Sequence, residues 1–181
     1  MQVSRTSKPR SDEVASEALA FEIVYQRLAG PVYRFCPTQV GGPSAAEEVA
    51  ADAWAAAWAA FERTHPAADG VDAWVFRIVR NKAKNHLRSA RRRFRLSAAL
   101  TKERVPVADA EVRVIERAEA AAALTSLQTM RPRERALIGL RICSDLSFAE
   151  IGAVMGCSEA AARVATHRAL LRLRTHMEGR P

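Results

Sequence analysis

The most constraining stretch of the chain is residues 146–158, Leu-Ser-Phe-Ala-Glu-Ile-Gly-Ala-Val-Met-Gly-Cys-Ser. Ser147 can cap a helix N-terminus through its hydroxyl. Glu150, three residues on, can reach back to the cap, so amides that would otherwise be orphaned are satisfied. Ile151, Val154 and Met155 then share one side of a short helix, with Leu146 just ahead of it. Gly156 follows the last apolar residue, where a helix end wants left-handed backbone angles. Ser158 is a second N-cap, opening a helix expected to run to about His176. Two helices at this spacing across a tight glycine turn make a helix-turn-helix.

The second of these helices is two-faced. Ala162, Thr166, Ala169 and Leu173 make a narrow inward stripe of mostly small side chains. Arg163, His167, Leu170 and Arg174 make the outward stripe, with Arg168 and Arg172 beside them. Small inside and basic outside suits a helix packed tightly on its partner and presented to a DNA groove. The alternative is an ordinary helical hairpin with a solvated cationic face.

The charge of the whole chain agrees with a polyanionic partner. Its 181 residues carry a formal net charge of +8, so nucleic acid or an acidic membrane surface is implied. Half of the chain is apolar (49%) but only 6% is aromatic, and alanine is abundant, which favours packed helices over sheets. No apolar run is long enough to span a bilayer, and the N-terminus lacks a signal-peptide core. Cys36, Cys143 and Cys157 are odd in number and unpaired in spacing, so reduced thiols and a cytoplasmic location are expected.

The chain divides around a linker. Residues 1–10 read as a basic, proline-containing arm. Ser11, Asp12 and Glu13 start a helix expected to turn Leu19, Ile23 and Leu28 towards a core, with Gly30-Pro31 breaking it. A short helix should resume at Val32 and end before Pro37 or Gly41. Pro43 fits the first turn of the next helix, on which Trp54, Trp58 and Phe61 form an aromatic core stripe. Its other side carries Glu48 and Asp52, either a solvated patch or a docking site for a basic surface. Residues 64–70 form a loop, and residues 71–93 a helix. Along that helix Arg77, Arg80, Lys84, Arg88 and Arg91 line one face for about 20 Å. Such a row matches a phosphate backbone. Trp74 and Asn81 flank it; Trp74 is either a platform for unstacked bases or a core residue. Residues 96–110 form the linker. An alanine-rich helix over residues 111–129 follows, and Pro132 opens another with Ala136, Leu137 and Leu140 inward.

No catalytic motif, phosphate-cradling glycine loop or metal-ligand pairing is present in the sequence, so neither an enzyme nor a cofactor is expected.

At this point the residues resemble a family. Phe21-Glu22, Val32-Tyr33-Arg34-Phe35, Ala46-Glu47-Glu48-Val49, Trp54 and the run from Ala73 through Asn81 to Arg88 look like region 2 of sigma factors. Leu127, Arg131-Pro132-Arg133-Glu134-Arg135, Leu146-Ser147, Glu150-Ile151, Met155-Gly156 and His167-Arg168-Ala169 look like region 4. The chain is similar to extracytoplasmic-function (ECF) sigma factors of the sigma-70 family. The resemblance implies an all-α fold of two small helical domains joined by a flexible linker. Residues 1–17 would be the arm and helix start, 18–95 the region 2 domain, 111–176 the region 4 domain and 177–181 a tail.

It also implies partners and roles: core RNA polymerase, through its β′ clamp helices and β flap, and promoter DNA, but no membrane. Glu47, Glu48 and Asp52 match the polymerase-docking helix. His65, Trp74, Arg77, Arg80, Asn81, Lys84, Arg88 and Arg91 match the segment that handles the melted −10 element. Ser158, Arg163, Val164, His167 and Arg168 match the helix that reads the −35 element. The chain departs from the family in having Ala161, Val164 and Ala165 where Thr, Ser and Arg are usual. Thr64-His65-Pro66 likewise replaces an aromatic-arginine opening. Two other readings stay open: a stand-alone helix-turn-helix regulator, and a basic adaptor whose main partner is a protein such as an anti-sigma inhibitor.

Overall fold

A computed structural model describes residues 11–98 and 114–178. The arm over residues 1–10 and most of the linker therefore lie outside the described residues. Seven helices make up the rest: α1 (Ser11–Gln39), α2 (Pro43–Thr64), α3 (Val71–Ala98), α4 (Val114–Thr129), α5 (Pro132–Cys143), α6 (Phe148–Met155) and α7 (Glu159–Glu178). Among the described residues no strand occurs, and no helix is long and apolar enough to cross a membrane.

Helix α1 differs from the sequence expectation in two ways. It runs unbroken through Pro31 and Pro37. Proline removes one intrahelical hydrogen bond and crowds the preceding turn. Here Leu28 ahead of Pro31, and Val32, Phe35 and Cys36 between the two prolines, are all buried and anchor the chain on both sides of the first lesion. Its buried face is Phe21, Val24, Leu28, Val32 and Phe35, and Ile23 points to solvent at 61% exposure. With no break at Gly30 the 3.6-residue period carries straight through, and the register it imposes leaves Ile23 outside.

Helix α2 starts at Pro43 after Gly42, whose φ of 86° suits glycine. The expected aromatic stripe is core: Phe21 meets Trp58 and Phe61 edge-on at 5.1 and 5.3 Å, and Tyr25 meets Trp54 at 4.8 Å. Edge-on pairs at these distances are worth about 0.5–1.5 kcal/mol beyond the area buried. Helix α3 lays Val71, Val75, Phe76, Val79 and Ala83 against the same core, and Phe35 and Phe76 meet at 5.6 Å. Arg27 of α1 pairs with Asp72 in the first turn of α3.

The two halves of the chain pack against each other. One apolar core runs from α1–α3 into α5 and α6, bringing Cys36 together with Leu137, Leu140 and Cys143. Gly139 of α5 lies against the Phe35 ring and Thr38 of α1. Gln39 Nε2 donates to the Arg135 carbonyl at 3.2 Å. Gln128 Nε2 of α4 donates to the Pro37 carbonyl at 3.0 Å, so a residue of the second half satisfies carbonyls that the end of α1 leaves open. A smaller core of Leu127, Met130, Ile138, Ala169 and Leu173 holds α4, α5 and α7 together.

Candidate nucleic-acid interface

The turn between α6 and α7 is built as its sequence suggests. Ser147 N donates to Glu150 Oε2 at 2.7 Å, and Glu150 N donates to Ser147 Oγ at 3.3 Å. Gly156 caps α6 at φ 69°, ψ 44°. Ala161 N donates to Ser158 Oγ at 3.3 Å, which makes Ser158 the cap of α7. Gly152 is a second requirement that spacing did not reveal. A Cβ there would stand 2.7 Å from the Cys157 carbonyl oxygen, so only glycine lets the turn fold back onto α6.

On α7, Ala162, Thr166, Ala169 and Leu173 are buried, as the stripe predicted. Arg163, Val164, His167 and Arg168 are exposed together on the outer face. The Arg163 guanidinium lies 5.0 Å from the centre of the Phe148 ring and pairs with Glu159 at 2.5 Å. Arg141, from the end of α5, reaches the same ring at 5.6 Å. Phe148 thus gathers two cations from different helices beside the α7 face, through contacts between a cation and the negative face of a ring. Phe148 and Arg141 carry no linear signal beyond an aromatic residue directly after the Ser147 cap.

On α3, Arg77, Asn81, Lys84, Arg88 and Arg91 are exposed and Arg80 is half-buried. Arg80 reaches towards the Val154 carbonyl of α6 at 3.5 Å. Burial, and then the neighbouring Arg133 charge, push its guanidinium pKa below the usual arginine range. Trp74 is half-buried, 6.2 Å from the Phe61 ring centre, and it lines a cavity with Arg77, Ala149, Glu150 and Ala153. One end of the row therefore lies under α6. His65, exposed, closes α2 in a left-handed conformation (φ 38°), its amide donating to the Phe61 carbonyl at 3.0 Å. Glu47, Glu48 and Asp52 are all exposed on α2, and Glu48 Oε1 stands 3.8 Å from His86 Nδ1 of α3.

Residues 24–93 match the sigma-70 region 2 family model, and residues 120–173 match the sigma-70 region 4 model. The chain belongs to the sigma-70 family, in its ECF branch. It is 30% identical over 161 residues to the ECF RNA polymerase sigma factor BldN of Streptomyces coelicolor, an alignment covering 86% of this chain and 60% of that protein. This chain thus spans about three fifths of the length of that sigma factor. It is 27% identical over 170 residues to an RNA polymerase sigma-E factor of Streptomyces antibioticus, covering 91% and 88% of the two chains. Among solved structures, the sigma factor RpoE from Bartonella quintana, crystallised with the anti-sigma factor NepR, shares the fold. The TM-score is 0.72 at 20% identity, over 90% of this chain and 99% of that one. In sigma-70 terms, α1–α3 hold region 2 and α4–α7 hold region 4.

Proposed function

We propose that the chain is an ECF-type RNA polymerase sigma factor that directs core polymerase to −35 and −10 promoter elements and assists promoter melting, without catalysis of its own. The observation that carries this reading is the presence, in family order, of a region 2 match with its cationic α3 row and a region 4 match with a capped helix-turn-helix. Arg163, His167 and Arg168, with Ser158 and Val164 beside them, would meet the −35 duplex. Arginine offers its fork to guanine edges or phosphates. Arg77, Arg80, Lys84, Arg88 and Arg91 would track the −10 phosphates. Trp74, Asn81 and the loop at His65 would take unstacked bases. Glu47, Glu48 and Asp52 would dock on the polymerase β′ clamp helices, and region 4 would reach the β flap.

The working location under this reading is the cytoplasm. An anti-sigma factor is part of the proposal, because RpoE, which shares the fold, was crystallised with one. Co-purification with core polymerase followed by run-off transcription tests the reading. Retention on core polymerase with start sites that depend on the chain is the expected result. Failure to bind core polymerase, together with tight sequence-specific duplex binding by the chain alone, would overturn it in favour of a stand-alone regulator.

A further inference from the structure

The cleft between α3 and α5 has a charge distribution that the packed form leaves unbalanced. Arg80, Lys84, Arg88 and Arg91 line it from α3, and Arg133 lines it from the start of α5. No carboxylate lines it, and none of the five forms an ion pair with a described residue. Four arginines elsewhere do have a carboxylate partner. Arg27 has Asp72, Arg163 has Glu159, Arg172 has Glu134 and Arg174 has Glu178. Packing the halves therefore brings cations towards cations. Burial and the Arg133 charge lower the Arg80 pKa, and burial and the Arg91 charge lower that of Arg135 on α5. Like charges gathered at a partly desolvated interface call for a counter-anion.

The floor of the cleft is apolar, formed by Leu87, Pro132 and Ala136, and its volume is about 280 Å³. That is close to the lower end of small-molecule sites, roughly 300–1,000 Å³. A second cavity, of about 400 Å³, shares Arg88 and Arg91 and adds Arg92 and Arg95. Cations above an apolar floor suit a ligand with phosphates at one end and a flat apolar body at the other, since guanidinium forks bind phosphate oxygens in pairs.

We propose that this cleft binds a polyphosphate-bearing nucleotide, which bridges α3 to Arg133 and holds the two halves packed. The ligand fits only while Arg133 faces the α3 row, so it stabilises the packed form by mass action. Release frees the row. The inference rests on the packed cleft and would stand whether or not the promoter reading does.

The test uses the full chain alone, with ATP and sodium pyrophosphate as probes at constant ionic strength. Thermal unfolding and small-angle X-ray scattering are the readouts. The melting temperature should rise saturably, with ATP at least about tenfold tighter than pyrophosphate because only ATP covers the apolar floor. Arg133→Ala should weaken ATP binding at least about tenfold. Gly139→Val, which wedges α5 away from α1, should abolish the saturable rise and enlarge the scattering radius. A rise that sodium chloride reproduces, equal affinity for the two probes, or unchanged ATP affinity in Arg133→Ala would overturn the proposal. So would unchanged affinity in Gly139→Val, which would assign the anion to α3 alone. Should Gly139→Val fail to fold, Arg133→Glu carries that arm, and saturable binding at wild-type affinity would overturn the proposal equally.

Discussion

Gly139 of α5 and Thr38 of α1 approach so closely that any side chain on Gly139 would overlap the Thr38 hydroxyl, with the Phe35 ring carbons 3.0 Å away. Thr38 cannot swing aside cheaply. Its Oγ1 donates to the Phe35 carbonyl at 2.7 Å and accepts from Gln39 Nε2 at 2.7 Å, all within the buried seam. Glycine inside a helix costs about 1 kcal/mol relative to alanine, so α5 by itself would be better without it. The glycine serves the seam between region 2 and region 4.

Gly139→Val should therefore destabilise the packed chain by about 1–3 kcal/mol, the usual cost of overfilling a tight site. Urea unfolding read alongside the scattering radius checks this. A variant as stable and compact as wild type would mean that the seam is not where the halves are held.

Polymerase docking gives a second expectation. Glu48 and Asp52 are exposed on the same side of α2, four residues apart. Reversing both to Lys should weaken binding to core polymerase by about tenfold or more while leaving the melting curve in place, because the residues touch no core. Titration of labelled core polymerase measures it, and equal affinity would remove these carboxylates from the interface.

The third expectation concerns how Arg163 is held. The Phe148 ring faces both Arg163 and Arg141, and each contact is worth about 0.5–1 kcal/mol at an exposed site. Phe148→Leu keeps the apolar volume but removes the ring face. It should loosen discrimination at the −35 position that Arg163→Ala also affects, where a guanine contact is worth about 1–3 kcal/mol. Transcription from a set of −35 mutant promoters reads this out. Unaltered discrimination in both variants would place the reading elsewhere on α7.

The cysteines supply a pH dependence. Burial, and then the neighbouring Cys143, push the Cys36 thiol up to about 12 from 9.0. Burial raises Cys143 as well, against the opposing charge of Arg34. Cys157 is only half-buried. One thiol should label quickly in the folded chain and two more only on unfolding, since the thiolate is the reactive form. Between pH 9 and about 12 the unfolded chain loses the Cys36 proton while the folded chain keeps it. Stability therefore falls as pH rises through that window, by up to about 1.4 kcal/mol per pH unit for one thiol. Urea midpoints of Cys36→Ala against wild type at rising pH check the sign; the variant should show the shallower decline.

The local grammar of the chain was legible in one dimension. Ser147, Glu150, Gly156 and Ser158 act within a few residues of themselves, so their spacing alone dictates the caps and the turn of the helix-turn-helix. The buried stripe of α7 and the aromatic stripe of α2 follow from helical periodicity in the same way. What joins distant residues was not legible. Pro31 reads as a break because the lost hydrogen bond is local, whereas the burial of Val32 and Phe35 that carries α1 through it comes from other helices. Ile23 faces solvent for the same reason, since the register of an unbroken helix is set by its packing. That Arg133 faces the α3 row, that Phe148 gathers Arg141 and Arg163, and that Gly139 seats on Thr38 depend on pairs far apart in the chain or on different helices. Such contacts leave no spacing to read, because folding a chain back on itself is decided by total burial and shape rather than by any neighbour in sequence.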